Sequence, residues 1–179
     1  MIRSAAPADA KAVRAVVDTA YGHYVARIGK PPGPMLDDYV RRIADGQVWV
    51  LEHGDSITGI LVLEEGPGGL LLDNIAVLPD CQGKGFGRML IGFAEAEARR
   101  RDRNEIHLYT HALMHENIAL YRRLGFVETG RRNEKGPGRL CGNGRGRAGS
   151  PGQVPRGGGP LAGTSWHPHG RYRRRGGAG

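Results

Sequence analysis

Leu70-Leu71-Leu72-Asp73-Asn74-Ile75-Ala76-Val77-Leu78-Pro79-Asp80-Cys81-Gln82-Gly83-Lys84-Gly85-Phe86-Gly87-Arg88 joins the longest apolar run of the chain to a glycine-rich turn. The run, closed by Pro79-Asp80, predicts a strand over 70–78 that is buried on both faces. Three glycines in five positions then predict a tight turn into a helix over about 85–101, with Phe86, Leu90, Phe93 and Ala94 forming its apolar stripe. Backbone N–H groups at such a turn can face an anion, and the helix dipole adds a field that favours phosphate. Lys84 and Arg88 can add charge-assisted contacts. The turn is not a Walker A loop, because no Gly-Lys-Ser/Thr follows four spacer residues. Nor does it fit a dinucleotide fingerprint: its glycine spacing differs, and it follows the fourth strand rather than opening a strand–helix–strand unit.

The flanking sequence fills in the rest of a domain. Residues 1–5 read as a short strand, and Pro7-Ala8-Asp9 opens a helix whose Val13, Val16, Val17 and Ala20 share one face. Gly29-Lys30-Pro31-Pro32-Gly33-Pro34 is a loop by composition. Leu36, Tyr39, Val40 and Ile43 repeat the helical spacing, and Gly46 ends that helix. Strands over 47–52 and 57–63 flank the turn His53-Gly54-Asp55-Ser56 as a hairpin. Gly66-Pro67-Gly68-Gly69 is a second turn. Downstream lie a strand over 105–110, a helix over 116–124 closed by Gly125, and a strand starting at 126. The order β-α-α-β-β-β-α-β-α-β predicts an α+β domain with a mixed central sheet flanked by helices.

The chain has 179 residues, enough for one ordinary domain. It has no apolar run of eighteen residues and no apolar stretch at its start, so neither a transmembrane helix nor a secretory signal is expected. Two cysteines, Cys81 and Cys141, exclude a disulfide scaffold or a four-thiolate metal site, and a reducing cytoplasm is the expected compartment. The net charge of +8 is unevenly spread. Residues 131–179 hold 11 of the 26 basic residues and one acid, Glu134, leaving 15 basic against 17 acidic residues before them, a net of −2. The same segment holds 15 of the 30 glycines. The sequence therefore divides into a domain over 1–136 and a Gly/Arg/Pro-rich tail over 137–179. So few aliphatic residues cannot offset the ordering entropy of the tail's backbone, and it is expected to be disordered. Three origins compete for it: an arm that contacts nucleic acid through arginines such as Arg145, Arg147, Arg171 and Arg173, an inert extension, or a GC-rich gene read in a shifted frame. Trp166 and Tyr172 are few for base stacking, which argues against a nucleic-acid partner.

Two segments carry a family resemblance. Leu72-Asp73-Asn74-Ile75-Ala76-Val77-Leu78-Pro79 with Gln82-Gly83-Lys84-Gly85-Phe86-Gly87 resembles the acetyl-CoA signature of the GNAT superfamily of N-acetyltransferases. Gln82, Gly85 and Gly87 match that signature's Gln or Arg, two residues, Gly, one residue, Gly or Ala. Asn117-Ile118-Ala119-Leu120-Tyr121-Arg122-Arg123-Leu124-Gly125-Phe126 is similar to the family's Asn, three residues, Tyr, three residues, Gly-Phe. The resemblance spans about residues 1–135. The Tyr24 to Tyr39 region is similar to a bacterial subgroup whose substrates are unassigned.

The resemblance implies an acyl-CoA N-acyltransferase fold and transfer of an acetyl group from acetyl-CoA to a primary amine. The acceptor would be a small molecule or an amine on a protein or peptide, and a homodimer is one implied assembly. Backbone groups at Ile75, Ala76 and Val77 would hold the pantetheine arm, with N–H groups there stabilising an oxyanion. Gln82, Gly83, Lys84, Gly85, Phe86, Gly87 and Arg88 would hold the pyrophosphate. Asn117 would contact the donor near its thioester, and Tyr121 would be the acid that meets the leaving sulfur. Asp73, Glu64, His107 and His111 are candidate bases. Strict strand alternation would set Asp73 on one face with Leu71 and Ile75, and Asn74 on the other. His107, His111 and His115 are spaced by four but fall in a strand, a loop and a helix start, so no metal is expected. Cys81 has no covalent step to serve. The alternatives are a nucleic-acid-binding protein that uses the tail and an inactive family member that binds acyl-CoA. Family members end in one further strand, whereas the aliphatic pattern here stops at Gly136. A frameshift near 137 would cause such a break, and the chain would then lack its last strand.

Overall fold

A computed structural model of the chain describes residues 1–66, 69–131 and 169–175. Its strands are β1 (Ile2–Ser4), β2 (Val48–His53), β3 (Ser56–Gly66), β4 (Gly69–Val77), β5 (Glu105–His111), β6 (Val127–Arg131) and β7 (His169–Arg175). They form one seven-stranded sheet in the order β1-β2-β3-β4-β5-β7-β6. β4 and β5 run parallel, and every other neighbouring pair is antiparallel. The helices are α1 (Ala10–Ile28), α2 (Tyr39–Ala44), α3 (Phe86–Arg100) and α4 (His115–Arg123).

The unbroken apolar runs of β2 and β3 arise because both faces of the sheet are covered. Val48, Val50, Ile60 and Val62 face α1 and α2, where Val13, Val16, Val17, Tyr21, Tyr24 and Ile43 complete one core. Trp49, Leu51, Leu61 and Leu63 face the other way, against Leu90, Ile91 and Ala94 of α3 and Tyr121 of α4. The stripe read on α1 extends one turn further than its valines, to two buried tyrosines.

Two expectations differ from the structure. The helix read over Leu36, Tyr39, Val40 and Ile43 is shorter, because the Asp38 carboxylate accepts the Arg41 N–H at 3.1 Å and starts α2 there. Leu36 and Val40 are consequently 62% and 70% exposed, and only Tyr39 and Ile43 face the core. The second difference is in the sheet. The last strand is present, and residues of the Arg-rich tail supply it: β7 lies between β5 and β6. Tyr172 alone gives this strand an apolar anchor, buried opposite Leu108. Two of its arginines find carboxylates, Arg173 with Glu105 at 2.9 Å and Arg174 with Glu95 at 2.8 Å. A charge-rich strand is tolerated where its cations meet carboxylates, a pairing that apolar periodicity does not reveal. The domain boundary read at 136 lies outside the described residues.

Candidate active site

β4 and β5 separate part-way along the sheet. Their ladder runs through Leu70, Leu71 and Leu72, opposite Ile106, His107 and Leu108. Beyond it β5 stays with β7 as far as His111, and β4 stays with β3 as far as Val77. The second half of β4 therefore has one open edge. The Leu78 N–H donates to the Thr58 carbonyl of β3 at 2.9 Å. Strand alternation then turns the backbone of Asn74 and Ala76 toward β3, and that of Ile75 and Val77 toward the opening. Side chains already reach both carbonyls at this edge: the Tyr21 hydroxyl lies 3.3 Å from Ile75 O, and Gln82 Nε2 donates to Val77 O at 3.2 Å. The N–H groups of Ile75 and Val77 face the opening without a ladder partner among the described residues. Ala76 turns its backbone to β3 and buries its methyl group under α1, so it brings no polar group to the open edge.

A bulge at Asp73 shapes the other side of the opening. Asn74 pairs with Val62 and Leu72 with Leu63, so Asp73 is the extra residue. Asn74 consequently shares the α1/α2 face with Asp73, where strict alternation placed it opposite. Its side chain is 2% exposed and fully used. Asn74 Oδ1 accepts the Tyr21 hydroxyl at 2.7 Å, and Nδ2 donates to the Tyr39 hydroxyl at 2.9 Å, which donates to Pro34 O at 2.8 Å. This chain ties β4 to α1 and to the turn before α2. Asn74→Ala leaves two buried hydroxyls to find new partners and is expected to destabilise the fold by about 2 kcal/mol, read as a lower urea midpoint at unchanged slope.

Asp73 itself faces Arg42 of α2 at 3.1 Å. The same guanidinium meets Asp37 at 2.8 Å and makes a close contact with Glu64 of β3. Burial pushes the Asp73 carboxyl up to about 6; Glu64 and Asp37 push the same way, and Arg42 opposes them.

On the opposite side of the sheet, the turn into α3 brings N–H groups to the end of the opening. Gly83 and Gly85 have φ of +77° and +87°, left-handed backbone that side chains rarely adopt. They direct the chain so that α3 starts at Phe86 with its first-turn N–H groups unpaired within the helix. Phe86 packs on the α3 core, 5.1 Å from the His53 ring, and anchors the turn. Lys84 and Arg88 are exposed, and neither forms an ion pair among the described residues. Two free cations beside a helix N-terminus make an electropositive patch suited to an anion.

α4 closes the opening from the β5 side. Tyr121 is 4% exposed, with its ring 5.9 Å from Phe126 and 6.4 Å from Tyr172. Its hydroxyl makes no hydrogen bond among the described residues, and burial, with Tyr24 adding to it, raises its pKa. One turn earlier, Asn117 lies with its Oδ1 3.5 Å from the Tyr24 hydroxyl. That hydroxyl also lies 3.3 Å from Glu116 Oε2, which Arg27 holds at 2.8 Å. The Arg27 guanidinium keeps the Glu116 carboxyl down at about 2. The C-terminal half of α1 is thus latched to α4 across the opening.

Residues 44–128 match the family model for the acetyltransferase (GNAT) domain. Over those residues the chain resembles the GNAT family. It is 29% identical over 100 residues to the uncharacterized N-acetyltransferase YvbK of Bacillus subtilis, a match that covers 55% of this chain. The chain spans 63% of the length of that curated relative. Among solved structures, PaiA N-acetyltransferase from Thermoplasma acidophilum in complex with coenzyme A aligns with a TM-score of 0.65 at 18% identity, over 72% of this chain and 89% of that one. YncA from Salmonella typhimurium with acetyl-CoA aligns at 0.64 and 20% identity, over 100% and 95%. A ribosomal-protein-alanine N-acetyltransferase from Brucella melitensis aligns at 0.62 and 21% identity, over 98% and 99%.

Within this domain the four candidate bases separate. Asp73 and Glu64 share Arg42 beside the bulge. His107 lies in the paired part of β5, opposite Leu71, with Nε2 3.5 Å from Glu105. His111 ends β5 and accepts the Leu113 N–H on Nδ1 at 3.1 Å. Glu64, His107 and His111 therefore have structural contacts, and Asp73 alone sits at the break in the ladder. Sequence reading missed Tyr21, Tyr39, Arg42 and the role of Asn74. Tyr21 and Tyr24 were detectable as continuations of the α1 stripe, but no spacing announces a guanidinium shared by three carboxylates.

Proposed function

We propose that the chain transfers an acetyl group from acetyl-CoA to a primary amine by direct attack while donor and acceptor are bound together. One observation carries the reading: the open edge of β4 ends at the N-terminus of α3. A strand-like amide arm and an attached pyrophosphate need those two features in that order. The coenzyme A and acetyl-CoA complexes of PaiA and YncA support it. When bound, acetyl-CoA supplies an acyl group on a sulfur leaving group. Ile75 and Val77 would hold its pantetheine arm through backbone groups. The N–H groups over 82–87, with Lys84 and Arg88, would bind its pyrophosphate, and Asn117 would contact the arm near the thioester.

The protein's part in the chemistry is then short. Holding the two reactants together supplies most of the acceleration. The Asp73 carboxylate takes a proton from the ammonium of the acceptor, directly or through one water, and frees the nitrogen lone pair. The nitrogen–carbon bond forms as charge moves to the carbonyl oxygen, where the N–H groups of Ile75 and Val77 receive it. The carbon–sulfur bond then breaks, the Tyr121 hydroxyl gives its proton to the departing sulfur, and the second proton of the new amide nitrogen passes to the phenolate, directly or through one water, restoring Tyr121. Burial keeps that phenol protonated across the neutral range. Asp73 must be charged to act, so activity should rise with pH as its carboxyl ionises near 6.

The direct test is a thermal melt with acetyl-CoA. At about a hundred times Kd the donor stabilises a folded binder by ~2.7 kcal/mol, several degrees of Tm for a domain of this size. A cooperative melt that acetyl-CoA does not move would reject the reading.

A further inference from the structure

We propose that Arg42 is a positioning residue for the transfer, holding the Asp73 carboxylate at the bulge of β4 while dividing its own charge among Asp73, Asp37 and Glu64. The inference rests on the acetyl-transfer reading above, and it assigns a task to a residue outside both signature segments.

The geometry is specific. Arg42 comes from α2 and contacts Asp37 from the turn before it, Glu64 from β3 and Asp73 from β4. Gln47 adds an acceptor to the same guanidinium at 3.1 Å. The Arg42 side chain is only 18% exposed, and its fork spans partners on three elements, which a lysine ammonium cannot reproduce as a point charge. A bulge residue has no ladder neighbour to fix its direction, so Arg42 is what aims Asp73.

The charge count explains why the aim does not disable the base. An arginine paired with a single aspartate holds that carboxylate far below neutral pH, where it is a poor proton acceptor. Here one positive charge faces three negative ones. Glu64 and Asp37 raise Asp73 against the pull of Arg42, and burial raises it further. Tyr39 of α2 and Tyr21 of α1 also face this carboxylate as neutral phenols whose pKa values are raised. Asp73 therefore stays oriented yet basic near neutrality. Charge sharing makes two variants act in opposite directions. Arg42→Gln removes the cation that favours the charged form, so Asp73 should ionise at higher pH. Glu64→Gln removes an anion that disfavours it and frees more of Arg42 for Asp73, so ionisation should move lower.

The test is a carbon-13 NMR titration of the aspartate side-chain carboxyls in the full chain, assigned with Asp73→Asn. It is paired with the pH dependence of thiol release from acetyl-CoA over a panel of primary amines. The expected result is an Asp73 midpoint that moves up by roughly one pH unit in Arg42→Gln and down in Glu64→Gln, with the acidic limb of kcat following both. Arg42→Lys should keep the midpoint closer to wild type than Arg42→Gln does, yet lose kcat, because it restores charge without the fork. Midpoints that ignore both variants, or that move together in one direction, overturn the proposal. If Arg42→Gln fails to fold, Glu64→Gln still decides by the direction of its shift. A failure of the acetyl-transfer reading shows separately, as no turnover and no acetyl-CoA effect on the wild-type melt, with the NMR midpoints still reporting on Arg42.

Discussion

Tyr121→Phe should lower kcat about 100-fold or more while leaving Tm and the stabilisation by acetyl-CoA unchanged. The expectation joins two facts about one side chain. The ring is part of the core against Phe126 and Tyr172, and phenylalanine keeps those contacts. The hydroxyl has no hydrogen bond to lose among the described residues, so removing it leaves no partner stranded. What disappears is a proton held in place by burial. A coenzyme A thiol of pKa ~8.5 can leave as a thiolate, which sets the loss at the lower end of what general acids contribute. Steady-state thiol release and a melt on the same preparation check both halves. Unchanged turnover would make Tyr121 a core aromatic only, and a Tm lowered by several degrees would show that its hydroxyl was structural.

Much of this site was legible because its parts are contiguous. Gln82-Gly83-Lys84-Gly85-Phe86-Gly87 reads as an anion-facing turn from the conformational needs of Gly83 and Gly85 alone, and the structure has both at positive φ. Asn117 and Tyr121 follow from spacing on one helix, and their positions one turn apart on α4 come directly from the period. The element order over the first ten elements also followed from period and turn chemistry.

What escaped was whatever one residue out of register can change. Alternation predicts faces only while the pairing is regular, and the bulge at Asp73 resets it. Asn74 thereby joined the α1/α2 face and became the buried bridge between Tyr21 and Tyr39. Arg42 was invisible for a related reason. Its partners are 5, 22 and 31 positions away in sequence and converge only when α2 lies over the bulge. The tail misled in the opposite sense, because its composition argued against any strand while a single tyrosine and paired arginines suffice for β7.

Tyr172→Ala is therefore the larger stability experiment, with an expected loss of about 3–5 kcal/mol. Tyr172 is 1% exposed, lies opposite Leu108 and Glu128 in the two ladders, and touches the Tyr121 ring. Its removal opens a cavity in a strand that has no other apolar anchor. β7 is also the strand that joins β6 to the rest of the sheet, so its loss exposes the edge of β5 and leaves β6 without its ladder partner. Ending the chain after residue 168 should accordingly cost at least as much as Tyr172→Ala. It should also disturb Tyr121, which packs on both Tyr172 and Phe126, so acetyl-CoA should stabilise the truncated chain less than the full one. Urea melts of the full chain, Tyr172→Ala and the truncation test this directly. Equal midpoints for all three would show that residues 169–175 take no part in the folded sheet. The domain would then end where its aliphatic pattern does, near Gly136, and the frameshift reading of the tail would regain its force. A large loss in both variants would make the Arg-rich segment a structural strand of the folded domain, held by Glu95 and Glu105 as much as by its tyrosine.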